Sequence, residues 1–191
     1  MTNIKHSRRV FLRNIALLSA GAALPSRAFA NHNVTGVVDS FPSEMSLSFS
    51  NLHTGEKLKT TFFCEGNFVN ESMDAICHLL RDHRNNEVGK MSPDLMLLLH
   101  DLQQTLEVDQ PFEVISGYRS PATNAMLSQR SSKVAKKSLH MQGKAVDIRI
   151  PGIRLTDLHR AARQIDRGGV GLYTGSRFVH LDTGRPRYWG S

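Results

Sequence analysis

Two histidines and two aspartates stand in a pattern that can hold a metal. His140 lies in the run Ser138-Leu139-His140-Met141-Gln142-Gly143-Lys144-Ala145-Val146-Asp147, at the end of a loop. Gly143 permits a tight backbone passage there, and Asp147 falls inside the strand-like run that follows. His180 and Asp182 sit two apart in Phe178-Val179-His180-Leu181-Asp182, so on a strand their side chains share one face. Two histidines and one carboxylate delivered by different elements make a three-ligand zinc site with its fourth position open to water. That is the catalytic arrangement, because structural zinc sites close all four positions. The other histidines need no such account. His100 lies in a leucine-rich helical run, His159 in an amphipathic one, and His78 and His83 on a charged helical segment, all places for structural or surface roles.

The elements that must position these groups follow from periodicity and turn chemistry. Leu47, Phe49 and Asn51 alternate with serines, His53-Thr54-Gly55-Glu56 supplies a turn, and 57–64 alternates again, which predicts a β-hairpin. Asn70 is placed to cap a helix carrying Met73, Ile76, Cys77 and Leu80 at helical spacing. Ser92-Pro93 opens a second helix that runs through Leu95 to Leu106 and forms the centre of the core. A strand over 112–115, a short helix over 123–130, a polar basic loop over 131–138 and a strand over 145–150 come next. Leu155, Leu158, Ala161, Ala162 and Ile165 then form a helical stripe, and two short strands over 170–173 and 178–182 close the pattern. Hairpins mixed with helices, without regular alternation, predict an α+β domain with a small antiparallel sheet.

The 191-residue chain carries 24 Lys+Arg against 17 Asp+Glu, a net charge of +7. Residues 1–30 hold five of those cations (Lys5, Arg8, Arg9, Arg13 and Arg27) and no acid, which leaves +2 for the rest. Composition therefore gives no argument for a nucleic-acid partner. Ser7-Arg8-Arg9-Val10-Phe11-Leu12-Arg13 matches the twin-arginine signal pattern, an apolar run from Ile15 to Leu24 follows, and Ala28-Phe29-Ala30 offers a peptidase site. The apolar run is about half of what a bilayer-spanning helix needs. The expectation is export through the twin-arginine translocase, cleavage after Ala30, a linker or arm over 31–45, and a single domain over 46–191 that does not span a membrane. Cys64 and Cys77 lack metal-ligand spacing and stand either as two thiols or as a disulfide.

The pattern S-x-H-x-x-G-x-A-x-D, a late H-x-D and Ser116-Gly117-Tyr118-Arg119-Ser120 together resemble the zinc D-Ala-D-Ala peptidase superfamily of cell-wall hydrolases. Over nearly the whole mature chain, from the hairpin to Arg187-Tyr188-Trp189, it is similar to the MepK-type murein endopeptidases. The resemblance implies the D-Ala-D-Ala peptidase (hedgehog-like) fold, with His140, Asp147 and His180 as ligands of Zn2+. It implies Arg119 as the cation that stabilises a developing oxyanion, a structural ion pair being the alternative. It implies Ser138 as a substrate contact, although a loop hydrogen bond explains that serine equally. Vancomycin-resistance dipeptidases of the superfamily place a glutamate base three residues before the last histidine; here that position is Arg177, which cannot accept a proton. Asp182 is the nearest carboxylate, either as the base or as a partner that orients a ligand histidine.

The function expected is a periplasmic zinc metallopeptidase that cleaves peptidoglycan crosslinks, most readily at meso-diaminopimelate bonds. A D-Ala-D-Ala carboxypeptidase and an inactive peptidoglycan-binding protein are the alternatives. Trp189 is a candidate for the substrate groove. Tyr173 is placed either there or in the core, and Lys133, Lys136 and Lys137 in a solvated loop or against an anionic polymer.

Overall fold

Serine alternates with large apolar residues along Glu44–Asn51, and the backbone follows that period of two: Met45, Leu47 and Phe49 are buried. This strand, β1, pairs antiparallel with β2 (Lys57–Cys64) as the sequence predicts, and it starts two residues before Ser46. The computed structural model describes residues 43–131 and 134–190, all within one compact unit. The leader, most of the 31–45 arm and Lys133 lie outside the described residues.

The remaining elements, in chain order, are β3 (Asn67–Phe68), α1 (Asn70–Leu79), α2 (Pro93–Leu106), β4 (Phe112–Ser116) and α3 (Pro121–Arg130). A 3-10 turn over Leu139–Gln142 then leads into β5 (Ala145–Arg149), α4 (Leu155–Ile165), β6 (Gly169–Tyr173), β7 (Phe178–Asp182) and β8 (Arg187–Trp189). All eight strands form one sheet in the order β3-β2-β1-β4-β5-β7-β6-β8. The class is α+β as expected. The sheet is larger than its hairpins suggest, and β1–β4 and β6–β8 are parallel junctions.

Three helices, α1, α2 and α4, lie over the apolar face. α2 packs on β1 and on α4, α4 on β6 and β7, and α1 on β2. Leu95, Met96, Leu99 and Leu102 from α2 are fully buried, so the leucine-rich helix is indeed central to the core. Each such side chain contributes roughly 1.5–3 kcal/mol of hydrophobic stabilisation.

Local details depart from the sequence reading in three places. Val69, not Asn70, is the residue preceding α1, and Asn70 is already helical. α3 begins at Pro121, two residues early, because the Ser120 hydroxyl accepts from the Thr123 N–H at 3.1 Å and caps it. His83 lies beyond α1, which stops at Leu79, and stacks on His53 with ring centroids 3.8 Å apart. Cys64 and Cys77 are free thiols, and Cys77 accepts the Met91 N–H at 3.3 Å. No helix among the described residues is long and apolar enough to cross a membrane.

Candidate metal centre

β5 and β7 are neighbours, and their register sets Asp147 directly opposite His180. Alternation sends Val146, Ile148, Val179 and Leu181 into the core, so Asp147, His180 and Asp182 emerge together on the other face. His140 reaches the same point from the 3-10 turn. That turn is closed by Gly143 in the left-handed region (φ +64°), where a Cβ would meet the Lys90 carbonyl oxygen at 1.9 Å. The tight passage expected of Gly143 is therefore real, and no other residue type fits it.

One atom from each of these three residues converges. His180 Nδ1 lies 2.8 Å from Asp147 Oδ1 and 3.3 Å from His140 Nε2, and His140 Nε2 lies 3.4 Å from Asp147 Oδ1. Behind each ring sits an oxygen that fixes its orientation. His140 Nδ1 donates to the Gly117 carbonyl at 2.7 Å, and His180 Nε2 donates to Asp182 Oδ2 at 3.0 Å. The nitrogens turned toward one another are thus those left for a metal, which is how ligand histidines are held in metal centres. An N2O donor set of this spacing fits zinc.

The charges are strongly coupled. Burial pushes the His180 pKa down, but hydrogen bonds to Asp147 and Asp182 outweigh it and carry the ring up to about 9. Burial favours the neutral form of the Asp147 carboxyl, yet the facing His140 and His180 hold it far below the ordinary range. Asp182 is held down in the same way, by His180, Arg187 and the Gly184 N–H.

Asp182 is completely buried, and its two oxygens accept five hydrogen bonds. Oδ1 accepts from the N–H groups of Gly169 (3.1 Å) and Gly184 (2.8 Å) and from Arg187 Nη1 (3.0 Å). Oδ2 accepts from His180 Nε2 (3.0 Å) and Arg187 Nη2 (2.6 Å). Such a saturated carboxylate has no open lone pair for a substrate proton, and of the two roles open in the sequence this geometry favours orientation of His180.

Arg119 sits on the loop after β4. Its backbone N–H donates to the His140 carbonyl at 3.2 Å, which clasps the loop to the 3-10 turn. The guanidinium makes only long contacts, to Asn124 Oδ1 (3.3 Å), Ser116 Oγ (3.4 Å) and Asp147 Oδ2 (3.9 Å), and its buried Nε has no hydrogen-bond partner among the described residues. This is not the geometry of a tight structural ion pair.

The chain matches the family model described as peptidoglycan L,D-endopeptidase MepK over residues 40–189. It belongs to that family. A protein of Escherichia coli with the same description is 40% identical over 189 residues, covering 99% of this chain and all of the relative. One from Shigella flexneri has the same identity and coverage. A Haemophilus influenzae relative named "Probable peptidoglycan L,D-endopeptidase MepK" is 39% identical over 173 residues, covering 90% of this chain and 92% of its own. No solved structure matches the chain.

In this MepK-family chain the three donors open into a cleft of about 340 Å³, with Arg119, Ser138, Tyr173 and Trp189 on its walls. Ser138 also caps the 3-10 turn, its hydroxyl accepting the His140 N–H at 3.3 Å. Lys137 lines the cleft, whereas Arg177 lies in a separate depression with Glu113 and Arg149. Among the described residues the only carboxylates lining the cleft are Asp147 and Asp182.

Sequence reasoning missed four supports. Arg187 clamps Asp182. Asp82, almost fully buried, accepts the Ser120 N–H (2.9 Å) and hydroxyl (2.8 Å) and fixes the end of the arginine loop. Asn124 contacts Arg119 and donates to the Ala135 and Lys136 carbonyls of the basic loop. The fourth support is a pair of glycines. Gly171 pairs with both His180 and Trp189, and Gly169 pairs with Arg187. A Cβ on Gly171 would meet the Trp189 indole at 2.4 Å, and one on Gly169 would meet Asp182 Oδ2 at 2.4 Å. Their bare backbones clear two lanes across β6, one for the indole and one for the guanidinium. The G-x-G spacing was the available signal, since two glycines two apart strip one strand face of side chains.

Proposed function

We propose that this chain is a zinc-dependent murein endopeptidase of the periplasm, hydrolysing stem-peptide crosslinks at the L,D bond between meso-diaminopimelate residues. The convergence of His140 Nε2, Asp147 Oδ1 and His180 Nδ1 at the floor of an open cleft carries this reading. Membership of the MepK family supports the substrate class, since the relatives' names state peptidoglycan L,D-endopeptidase.

Zinc held by these three residues supplies Lewis acidity, polarising the scissile carbonyl and bringing the pKa of a water from about 16 toward about 7. The protein's own groups do the rest. Gly117 and Asp182 fix the two rings, so the donor atoms are in place before substrate arrives. Arg119, charged at every relevant pH and loosely held, donates to the oxygen of the scissile carbonyl as negative charge develops there. Asp182 acts through His180 as a positioning residue. Ser138 and Trp189, on the cleft walls, contact the peptide. The twin-arginine leader and cleavage after Ala30 deliver the folded domain to the wall.

Digestion of purified sacculi and of defined muropeptide dimers by the zinc-loaded mature protein tests the reading. New monomers from diaminopimelate-linked dimers are expected. Loss of terminal D-Ala alone would instead assign a carboxypeptidase, and unchanged sacculi would leave a binding protein. Export is tested with Arg8→Lys together with Arg9→Lys, which should retain the chain in the cytoplasm, and by an N-terminus at Asn31 in the exported form.

A further inference from the structure

Trp189 Nε1 donates to the phenol oxygen of Tyr173 at 2.9 Å. An indole N–H is a donor only, so Tyr173 is the acceptor in that bond and its own hydroxyl proton is directed elsewhere. Among the described residues no second group hydrogen-bonds that oxygen, and Tyr173 lines the same cleft as Arg119 and His180. The sequence left Tyr173 between the groove and the core; its ring is half-buried on the groove side.

Its position is tightly determined. Tyr173 pairs with Phe178 across β6 and β7 and stacks on that ring, centroids 4.6 Å apart. Two residues along β6, on the same sheet face, Gly171 opposes His180. The Trp189 indole crosses that glycine, its ring centroid 5.3 Å from the His180 ring, and holds the phenol from the metal-ligand side. Arg119 and Tyr173 both line the cleft into which His140, Asp147 and His180 open, so the phenol and the guanidinium are two donors to one cavity.

We propose that the Tyr173 hydroxyl is a catalytic hydrogen-bond donor that, with Arg119, holds the oxyanion formed when water adds to the scissile carbonyl. This rests on the murein endopeptidase reading. Over the reaction water gives its oxygen and one hydrogen to the carbonyl carbon, the C–N bond breaks, and the leaving nitrogen takes the second hydrogen. The phenol keeps its proton throughout and contributes only a hydrogen bond that shortens as charge develops. A pre-aimed donor of this kind is worth about 10²–10³ in kcat where one has been removed from an oxyanion site.

Tyr173→Phe keeps the ring stack and removes the donor. On a diaminopimelate-linked muropeptide dimer, kcat should fall at least tenfold with KM within twofold and the zinc content unchanged. Affinity for a phosphinate that mimics the tetrahedral species, measured by calorimetry, should fall by the same factor as kcat/KM. Affinity for the cleaved product peptide should stay constant. Unaltered kcat and phosphinate affinity in Tyr173→Phe overturn the proposal. Loss of zinc, or product affinity falling as far as phosphinate affinity, overturns it too, in favour of a structural tyrosine. A parent protein that leaves the dimers intact while binding the phosphinate sinks the endopeptidase reading and this one with it. A parent protein that cleaves them beside an equally active Tyr173→Phe sinks only this one.

Discussion

Arg187 grips Asp182 with both terminal nitrogens, Nη2 to Oδ2 at 2.6 Å and Nη1 to Oδ1 at 3.0 Å, while Asp182 Oδ2 also accepts from the Nε2 of His180. The chain Arg187–Asp182–His180 therefore runs from a half-exposed cation to a ring whose other nitrogen faces Asp147 and His140. A fully buried carboxylate deprived of its cation is costly, although the partial exposure of Arg187 lets water compensate part of the loss. Arg187→Ala should destabilise the fold by about 2 kcal/mol and weaken zinc binding about tenfold or more. Denaturant unfolding and competition with a chelating dye measure the two effects. Zinc affinity equal to that of the parent protein would show that Asp182 orients His180 without help from Arg187.

Gly171 lets the indole of Trp189 lie across β6 beside His180. Gly171→Ala puts a methyl group 2.4 Å from the ring carbon Cε2, so the ring must lift and its bond to Tyr173 must lengthen or break. The expected result is a fall in kcat/KM of at least tenfold with zinc still bound. Trp189 is the sole tryptophan of the chain, so its emission reports the displacement directly. An unchanged spectrum together with full activity would refute the assignment of this lane.

Much of this centre was legible because strand alternation is strict. Once Phe178–Asp182 reads as a strand, His180 and Asp182 must share a face, and the Gly143 turn must lie between His140 and β5. What stayed hidden depends on which strands are neighbours. Arg187 meets Asp182 only because β8 adds in parallel beyond β6, and a three-residue strand has no periodicity to reveal it. β3, with two residues, is invisible for the same reason. Asp82 lies 38 residues from Ser120, and Asn124 sits on a helix with little apolar patterning. Nothing local marks either as a support for the arginine loop.

Zinc loading should release protons. In the metal-free protein His180 has a pKa raised to about 9 by Asp147 and Asp182 against the effect of burial, so at pH 7 both ring nitrogens carry protons. Zinc held at Nδ1 would require the proton there to leave. Roughly one proton per zinc is expected at pH 7, measured by calorimetry in buffers of different ionisation enthalpy. Apparent zinc affinity should rise about tenfold per pH unit from 7 to 9 and level off above that. The raised pKa also gives the metal-free fold stability that is complete below about 6.5 and is lost as pH rises through 9. Zinc binding without proton release would contradict a charged His180.

His83, stacked on His53, makes the opposite prediction. Burial, then the charges of Arg84 and His53, push its pKa down to about 4, and its ring lies stacked 3.8 Å from that of His53. The folded state thus resists a proton that the unfolded chain accepts near 6.5. Stability from this group is full above about 6.5 and drains as pH falls toward 4. The carboxylates held low in this fold lose their contribution mostly at still lower pH, so this window belongs to histidines, with His100 and His159 sharing the direction. His83→Gln should flatten the fall in unfolding free energy between pH 6.5 and 4. In the parent protein the C2 proton of His83 should titrate near 4 by NMR. A midpoint near 6.5 would mean that the stack opens and carries no such linkage.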